Sequence, residues 1–339
     1  MTCSSTKRIS RWGLALVVLA VTPLSVGWAE EQAEQQEVGP GPRVELSLRS
    51  WMFTSGETKW SDNASGLDSR LGNPTSQLKY KDNNTHLIEL AARMNFARRW
   101  FVHGDVGFSV ALDRGQLVDD DYTAVGGQHL YSETNSNITG SGTQYVNLDL
   151  GFRSVEFPGN RGHLDVFGGF QYWRTKYEAT GVQQVVCTPS GIPGTCDPNA
   201  NMNIQGVLAI TNTTQWITPL HVGFDTEYRI TRRVSVNLNA SISPASIVYN
   251  QDIHHLRADL QQDPSFSMWG VGASVNADAS LKVMLTKQLA LTGGYRIWWN
   301  RTYTGTLEIH PVGAPSESVP LKELQTFRHG ATIGLTAFF

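Results

Sequence analysis

Two short clusters carry side chains whose types and spacing favour chemistry, and the first is the segment LVDDDY. In an extended strand alternate residues share a face, so Asp119 and Asp121 project together while Asp120 points away. Carboxylates held close repel each other, which predicts that one has a raised pKa and can handle a proton of bound water. From these residues alone, a solvated acidic loop or a surface cation site is the simpler interpretation.

The second cluster is YNQDIHHL, where Asp252 and His254 have the same spacing. An aspartate beside a histidine can orient the ring, stabilise its charged form and let it take a proton from water. The adjacent His255 should face the other way. Both residue types are also ordinary in loops. A metal site needs three or four convergent ligands, which are not evident here, so no metal is expected.

The cysteines beyond the N-terminal region, Cys187 and Cys196, flank eight residues in a stretch rich in Pro, Gly and Asn. In an exported chain such a pair forms a loop disulfide more often than it binds metal. We therefore expect a disulfide that pins a long loop, with metal binding as the alternative.

Residues 1–29 predict a secretory signal peptide. The basic segment KRISR (7–11) precedes an apolar run at 13–24 that is too short to span a membrane, and Gly27 and Ala29 are small residues at the −3 and −1 positions of a cleavage site. Cys3 lies before the apolar run, which excludes a lipoprotein. The polar, acidic segment 30–42 predicts a flexible periplasmic segment, followed by the outer-membrane β-barrel over residues 43–339.

The composition favours a membrane barrel. Only 17% of the residues are charged, and after residue 30 no stretch near 20 apolar residues could form a transmembrane helix. A low charge with a mean hydropathy of −0.25 is typical of a barrel whose apolar residues alternate with polar ones. Without residues 1–29 the chain has 24 basic and 30 acidic residues, a net charge of about −6, so no nucleic-acid partner is expected.

A period of two recurs along the chain and is clearest at its end, in ATIGLTAFF. Ile333 and Leu335 fall on one face with the final Phe339, an arrangement that resembles the signal by which outer-membrane barrels are recognised by their assembly machinery. The alternative is an edge strand of a secreted sandwich. After a first run at Val44, Leu46 and Leu48, we predict strands near 78–96, 101–112, 144–155, 163–177, 215–228, 234–247, 266–285, 289–303 and 324–339.

About ten strands predict an all-β, antiparallel, up-and-down transmembrane barrel with its N-terminus on the periplasmic side. Short turns are expected at 97–100, 157–161, 231–233 and 286–288, and long polar loops near 55–76, 113–142, 178–213, 248–265 and 304–323. Four aromatic residues are candidates for the interface girdles, although packing inside the protein is the alternative: Trp51, Trp100, Trp298 and Trp299.

The chain resembles the omptins, ten-stranded outer-membrane endopeptidases. The similarity is strongest in SQLKYKDNNTHLIELAARMNF, DRGQLVDDDYTAV and TQYVNLDLGF, within residues 76–152, and weaker around Asp252–His254 and SGETK at 55–59. The resemblance implies that Asp119 and Asp121 are a catalytic acid pair facing an Asp252–His254 pair. It implies peptide hydrolysis by an activated water without a covalent intermediate, with His254 as general base.

Two departures from the family pattern affect the expected substrate. Positions at which the family carries acids for a basic substrate residue appear here as Trp60 and Asn250. The resemblance therefore implies substrate-binding positions without the charges that a guanidinium needs, and a specificity that is not strictly dibasic. Three nearby acids are candidates to compensate: Glu57, Asp62 and Asp113.

The family also requires lipopolysaccharide, and Arg174 in FQYWR matches one of its lipid-binding arginines; a girdle role is the alternative for this residue. Lipopolysaccharide apart, no cofactor is expected. The main hypothesis is an omptin-like protease of the bacterial outer membrane that cleaves peptides or proteins at the cell surface. The second is a non-catalytic barrel: an adhesin, a surface-binding protein or a narrow pore. A lipid A-modifying enzyme ranks third, because no Ser–His arrangement is evident.

Overall fold

The computed structural model describes residues 44–97, 99–188, 196 and 202–339. The expected signal peptide, 1–29, and the lead-in, 30–42, lie outside these residues. A 3-10 turn lies at Pro158–Asn160, between two strands. Across the described ranges the chain forms ten strands: β1 Val44–Asp62, β2 Leu71–Asn95, β3 Trp100–Thr123, β4 His129–Phe157, β5 Gly162–Cys187, β6 Asn203–Arg229, β7 Val234–His254, β8 Phe266–Met284, β9 Leu289–Ile309 and β10 Glu317–Phe338.

The strands close into a barrel in which each pairs antiparallel with its neighbours in sequence and β1 pairs with β10. Alternation places one apolar set on the outer wall, and its members are exposed although they are large and hydrophobic: Leu48, Leu90, Leu148, Val222, Leu238, Leu281 and Leu335. Such an outer face suits a lipid environment, while polar residues turn inward. The predicted all-β, up-and-down transmembrane barrel fold is confirmed. In the part of the chain that the structure describes, no helix is long and apolar enough to cross a membrane.

The strands are much longer than the alternation predicted. At the short turns the strands start and end where the sequence predicted. Most residues of the predicted long polar loops are instead paired as continuations of the strands, so that β4 begins at His129 and β7 runs to His254. The predicted loops at 55–76, 113–142, 178–213, 248–265 and 304–323 are therefore wrong in extent. Backbone pairing does not require an apolar face, and beyond the lipid both faces of a strand can be polar.

The distal parts of the strands stand outside the apolar band. Their outer faces carry ion pairs, such as Lys79 with Asp120 at 2.8 Å and Lys59 with Glu323 at 2.8 Å. A third pair, Lys176 with Glu178, lies on β5. Charges on the outer wall mark a region surrounded by water and lipid headgroups rather than by hydrocarbon.

The middle of the lumen is filled rather than open. Trp51, Tyr145, Trp173 and Trp298 contact one another with ring centroids 4.6–6.4 Å apart, and each is at most 6% exposed. The girdle role that the sequence suggested for Trp51 and Trp298 is therefore wrong, because both rings point into the barrel. On the outer wall, Tyr249 and Trp269 form an aromatic pair at 4.6 Å.

Charged residues lie beside this aromatic cluster. Arg296 Nη1 bonds Glu89 Oε2 at 2.6 Å and its Nε bonds Asp278 at 2.9 Å, while Arg49 and the hydroxyl of Tyr145 also contact Glu89. A buried carboxylate needs such partners, since an unpaired charge inside the barrel is costly. We call the four aromatic rings the floor of the cleft, because they fill the lumen beneath the outer end of the barrel, with the ionic groups next to them.

Candidate active site

Asp119 and Asp121 lie in the distal part of β3, where the register pairs them with Leu78 and Ser76 of β2. Strand alternation turns both toward the lumen. Asp120 between them points outward and binds the ammonium of Lys79 at 2.8 Å. All three residues lie at the level of the outer ion pairs, beyond the apolar band.

Asp252 and His254 occupy the end of β7, and the same alternation turns them inward. Asp252 is fully buried, and its Oδ2 accepts three hydrogen bonds, from Trp60 Nε1 at 2.9 Å, Tyr80 Oη at 2.9 Å and Asn212 Nδ2 at 3.1 Å. His255 turns outward, where its Nε2 lies 2.9 Å from Thr211 Oγ1.

The two pairs meet across the lumen. Trp60 on β1 and Tyr80 on β2 reach Asp252 on β7, so hydrogen bonds span the barrel at this level. Asp119 pairs in register with Leu78, two residues from the Tyr80 that bonds Asp252, and the charge of Asp252 contributes to the raised pKa of Asp119. Strands that are far apart in sequence therefore bring Asp119 and Asp252 into electrostatic range at the outer mouth.

Burial sets the protonation of the acids. It raises the pKa of Asp119, and the negative charges of Asp121 and Asp252 raise it further. Burial also raises the pKa of Asp121, against a side-chain hydrogen bond from Ser76 that lowers it. The expected raised pKa in this pair is thus present, and the pair favours holding a proton more than an exposed aspartate does.

Asp252 and His254 respond to burial in opposite senses. Burial raises the pKa of Asp252 to about 6, against the three donors that favour the carboxylate. It lowers the pKa of His254 to about 3, with the charges of Arg257 and His255 acting in the same direction. At neutral pH the resting pair is therefore a carboxylate beside an uncharged imidazole.

Asp252 and His254 are about one ångström too far apart for a direct hydrogen bond between carboxylate and ring. His254 Nε2 lies 4.0 Å from Asp252 Oδ1. Among the described residues neither this nitrogen nor Asp119 Oδ1 has a hydrogen-bond partner, although both atoms are buried. Buried polar atoms without partners are rare in native proteins and concentrate at functional sites.

The sequence did not reveal the residues that hold the site in place. Tyr80 stacks on Tyr177 with ring centroids 5.4 Å apart and interplanar angle 12°, and Tyr177 in turn accepts a hydrogen bond from Arg328 at 2.7 Å. Tyr80 and Asn212 occupy lumen-facing positions in alternating segments, which is the signal that marks them as interior. Their contact with Asp252 depends on closure of the barrel and leaves no local pattern.

The two predicted substrate-binding positions lie on the lumen side but support Asp252. Trp60 is 2% exposed and donates to Asp252, as above. Asn250 is fully buried, and its amide bonds Asn212 Oδ1 at 3.1 Å and Thr214 Oγ1 at 2.7 Å. Its position thus fixes Asn212, a donor to Asp252, rather than forming a wall of the cleft.

Three acids are candidates to replace the missing acidic residues that would bind a basic substrate side chain. Of these, Asp62 lies near the site. Its Oδ1 accepts the backbone N–H of Ser76 at 3.1 Å, and burial together with the charge of Asp121 raises its pKa to about 7. Glu57 lies on the outer face of β1, where Gln325 donates to it at 3.3 Å, so it cannot face a substrate in the lumen. The side chain of Asp113 lies outside the described part of the structure.

The remaining predicted sites are an arginine on the outer wall and a disulfide at the outer end of the barrel, where Ser132 pairs in register with both Asp121 and Cys187. Arg174 is on the outer wall of β5, paired in register with Gln144 and Gln215. Cys187 and Cys196 are joined in a disulfide, with Cα atoms 5.8 Å apart.

One further cluster has the composition of a cation site. His163, Asp165 and Asp225, near the short turns, offer ligand atoms within 4.8 Å of one another. Arg153 binds Asp165 at 3.1 Å, and Arg93 contacts both carboxylates. Because the two guanidinium groups already balance the two carboxylates, the cluster is explained as an ion-pair network.

Solved structures with a similar fold are outer-membrane barrels. The chain is similar to the crystal structure of the outer membrane protease OmpT from Escherichia coli, with a TM-score of 0.71 and 14% identity over 87% of this chain and 96% of that one. It is less similar to the translocator domain of the autotransporter NalP from Neisseria meningitidis, with a TM-score of 0.34 and 10% identity over 89% of this chain and 90% of that one. No protein-family model and no curated protein matches the sequence. The chain therefore has an omptin-like barrel fold, and its function has to be inferred from the site.

Proposed function

We propose that the protein is an outer-membrane endopeptidase that hydrolyses peptide bonds at the outer mouth of its barrel. The observation that supports this proposal is the approach of Asp119 to Asp252 across the lumen, outside the apolar band, with Asp121 and His254 next on the same strand faces. Acid pairs and an Asp–His pair are ordinary residues when separate. Together, with Asp252 and His254 buried, Asp119 and Asp121 half-buried, and buried atoms of Asp119 and His254 unpartnered, they can activate water.

His254 acts as the general base. With Nε2 directed toward Asp252, the other ring nitrogen is left to accept a proton from the attacking water. The imidazolium that forms is stabilised by the carboxylate of Asp252, which closes the 4.0 Å gap as charge develops. Trp60, Tyr80 and Asn212 keep Asp252 in place, so it needs little reorganisation during the reaction.

Asp119 and Asp121 serve the opposite side of the reacting carbonyl. The carboxylate of one orients the water, and the proton held by the other stabilises the oxyanion and then passes to the leaving amine. The water adds to the carbonyl carbon and the C–N bond breaks. The proton taken by His254 then returns through solvent to the aspartate that protonated the amine, which restores the resting site. No covalent enzyme intermediate is required.

The filled lumen disfavours a pore. The rings of Trp51, Tyr145, Trp173 and Trp298 occupy the cross-section below the site, so a solute entering from outside meets a closed floor. A cleft above a closed floor suits a substrate that binds and leaves by the same end. Lipopolysaccharide is the proposed lipid partner, and Arg174 on the outer wall can bind its phosphate groups.

Cleavage of a peptide library tests the proposal. Protein folded in detergent with lipopolysaccharide should cut peptides without a strong preference for Arg–Arg or Lys–Lys. His254→Ala should lower kcat by about 10²–10⁴, the usual contribution of a general base. His255→Ala is the matched control, because this neighbouring ring faces outward, and it should retain activity. Equal activity in wild type and His254→Ala, or no cleavage by folded wild type, would refute the proposal.

A further inference from the structure

The wall of the mouth next to His254 is aromatic and aliphatic. Phe266 begins β8 directly opposite Asp252, and its ring centroid lies 4.9 Å from that of His254 and 6.1 Å from that of Trp60. On the other side of Phe266, the register of β8 with β9 places Ile309 beside it. We call Trp60, Phe266 and Ile309 the apolar wall.

Phe266 and Ile309 are the accessible part of this wall. Both are only partly buried and pack against the interior hydrophobic cluster that contains Trp60. Trp60, at 2% exposed, supports Phe266 from behind. A partly exposed apolar surface that touches the proposed general base is placed to contact the substrate side chain beside the scissile bond.

Among the described residues, the two carboxylates that act closest to Phe266 and His254, Asp252 and Asp259, are already engaged. Asp252 is fully buried and its Oδ2 already accepts three hydrogen bonds. Asp259, in the loop between β7 and β8, is held by Arg257 through two hydrogen bonds of 2.6 and 2.8 Å. The charge of Arg257 also reaches His254, since it lowers the pKa of that ring. A cation seated against Phe266 and Ile309 would lose hydration, and neither Asp252 nor Asp259 is free to bind it.

We infer that the apolar wall is a specificity subsite that takes an aromatic or large aliphatic side chain on one side of the scissile bond. This inference rests on the proposed peptidase function. A peptide side chain of this kind covers Phe266 and Ile309, removes water from around His254 and positions the carbonyl for attack. Leu and Phe are favoured over Arg and Lys at this position.

Two series of peptides test the subsite, each varying one residue that flanks the scissile bond among Phe, Leu, Ala, Arg and Glu. In one series, kcat/KM for the Phe and Leu peptides should exceed that for the Arg peptide by about 10-fold or more, the range that an apolar pocket provides. Phe266→Ala should reduce this ratio, and Phe266→Glu should reverse it in favour of Arg. Phe327→Ala is the matched control, because this partly buried phenylalanine lies on the outer wall, and it should keep the wild-type ratio.

Peptides with a reduced, non-hydrolysable scissile bond separate this inference from the proposed function. Their dissociation constants, measured by fluorescence anisotropy, report the subsite even without turnover. Tighter binding of Phe than of Arg peptides, lost in Phe266→Ala, supports the apolar subsite. Equal or tighter binding of Arg peptides, or a preference unchanged in Phe266→Ala, overturns it. Absence of cleavage together with this binding preference refutes the peptidase alone.

Discussion

Replacement of Trp60 by phenylalanine tests how the pKa of Asp252 is set. The indole N–H donates to Asp252 Oδ2 at 2.9 Å inside the barrel. A hydrogen bond to a charged group contributes about 1.5–3 kcal/mol. One pKa unit corresponds to about 1.4 kcal/mol, so loss of this donor should raise the pKa of Asp252 by about 1–2 units.

The direction of the effect follows from which form of Asp252 is needed. The ionised carboxylate stabilises the imidazolium of His254, so kcat/KM should rise with pH as Asp252 loses its proton, near its pKa of about 6. In Trp60→Phe this rise should occur about 1–2 pH units higher. The variant should therefore be least active relative to wild type at pH 5–6, below the pKa of Asp252 in either protein, and the two should converge toward pH 9.

The assay is the pH profile of kcat/KM between pH 5 and 9 on one fluorogenic peptide. Trp216→Phe is the matched control: its indole is 1% exposed and donates to Thr326 Oγ1 at 3.0 Å, away from Asp252. Its profile should coincide with that of the wild type. The reasoning is refuted if the acid limb of Trp60→Phe stays in place, or if Trp216→Phe moves by the same amount.

Three further variants probe other parts of the structure. Asn212→Ala removes a second donor to Asp252, at 3.1 Å, and should move the acid limb of the pH profile upward by about one unit; an unmoved limb contradicts the role of this amide. Glu89→Gln removes the carboxylate that pairs with Arg296 at 2.6 Å and with Arg49, leaves Asp278 as the ion-pair partner of Arg296, and should destabilise the barrel by up to about 3 kcal/mol; urea unfolding followed by gel mobility measures this, and an unchanged midpoint speaks against it. Arg174→Ala should raise the lipopolysaccharide concentration for half-maximal activity about fivefold, as expected for loss of about 1 kcal/mol; an unchanged titration rules out a lipid contact there.

Strand number and the positions of the short turns follow from the sequence because lipid imposes alternation on the outer wall. Beyond the lipid the outer wall no longer has to be apolar, so the alternation of residue types disappears. The strand segments around Asp119 and His254 therefore have the sequence pattern of loops, although they pair regularly with their neighbours. Alternation also contained the orientation of Trp51, which shares its parity with Ser47 and Arg49 and so faces inward. A sequence pattern based on residue type alone assigns such a tryptophan to a girdle.

The i, i+2 spacing places each pair on one strand face and the resemblance to the omptins implies a catalytic role, but neither predicts the surroundings of these residues. Spacing places Asp252 and His254 on one face of β7, whereas the donors to Asp252 come from β1, β2 and β6. Those contacts arise only when the barrel closes and sets which strands oppose each other. For the same reason the aromatic ring of Phe266 beside His254 could not be anticipated from its position at the start of a predicted strand.

A double-mutant cycle on Asp119 and His254 tests the central claim most directly, since the claim is that residues from β3 and β7 act on one water. Asp119→Asn and His254→Ala should each lower kcat/KM by about 10²-fold or more, and the double variant should be little worse than either alone, because groups that act as a unit are not additive. Asp120→Asn, adjacent but outward-facing, should remain near wild type. Full additivity of the two losses, or an equal loss in Asp120→Asn, would contradict a shared site.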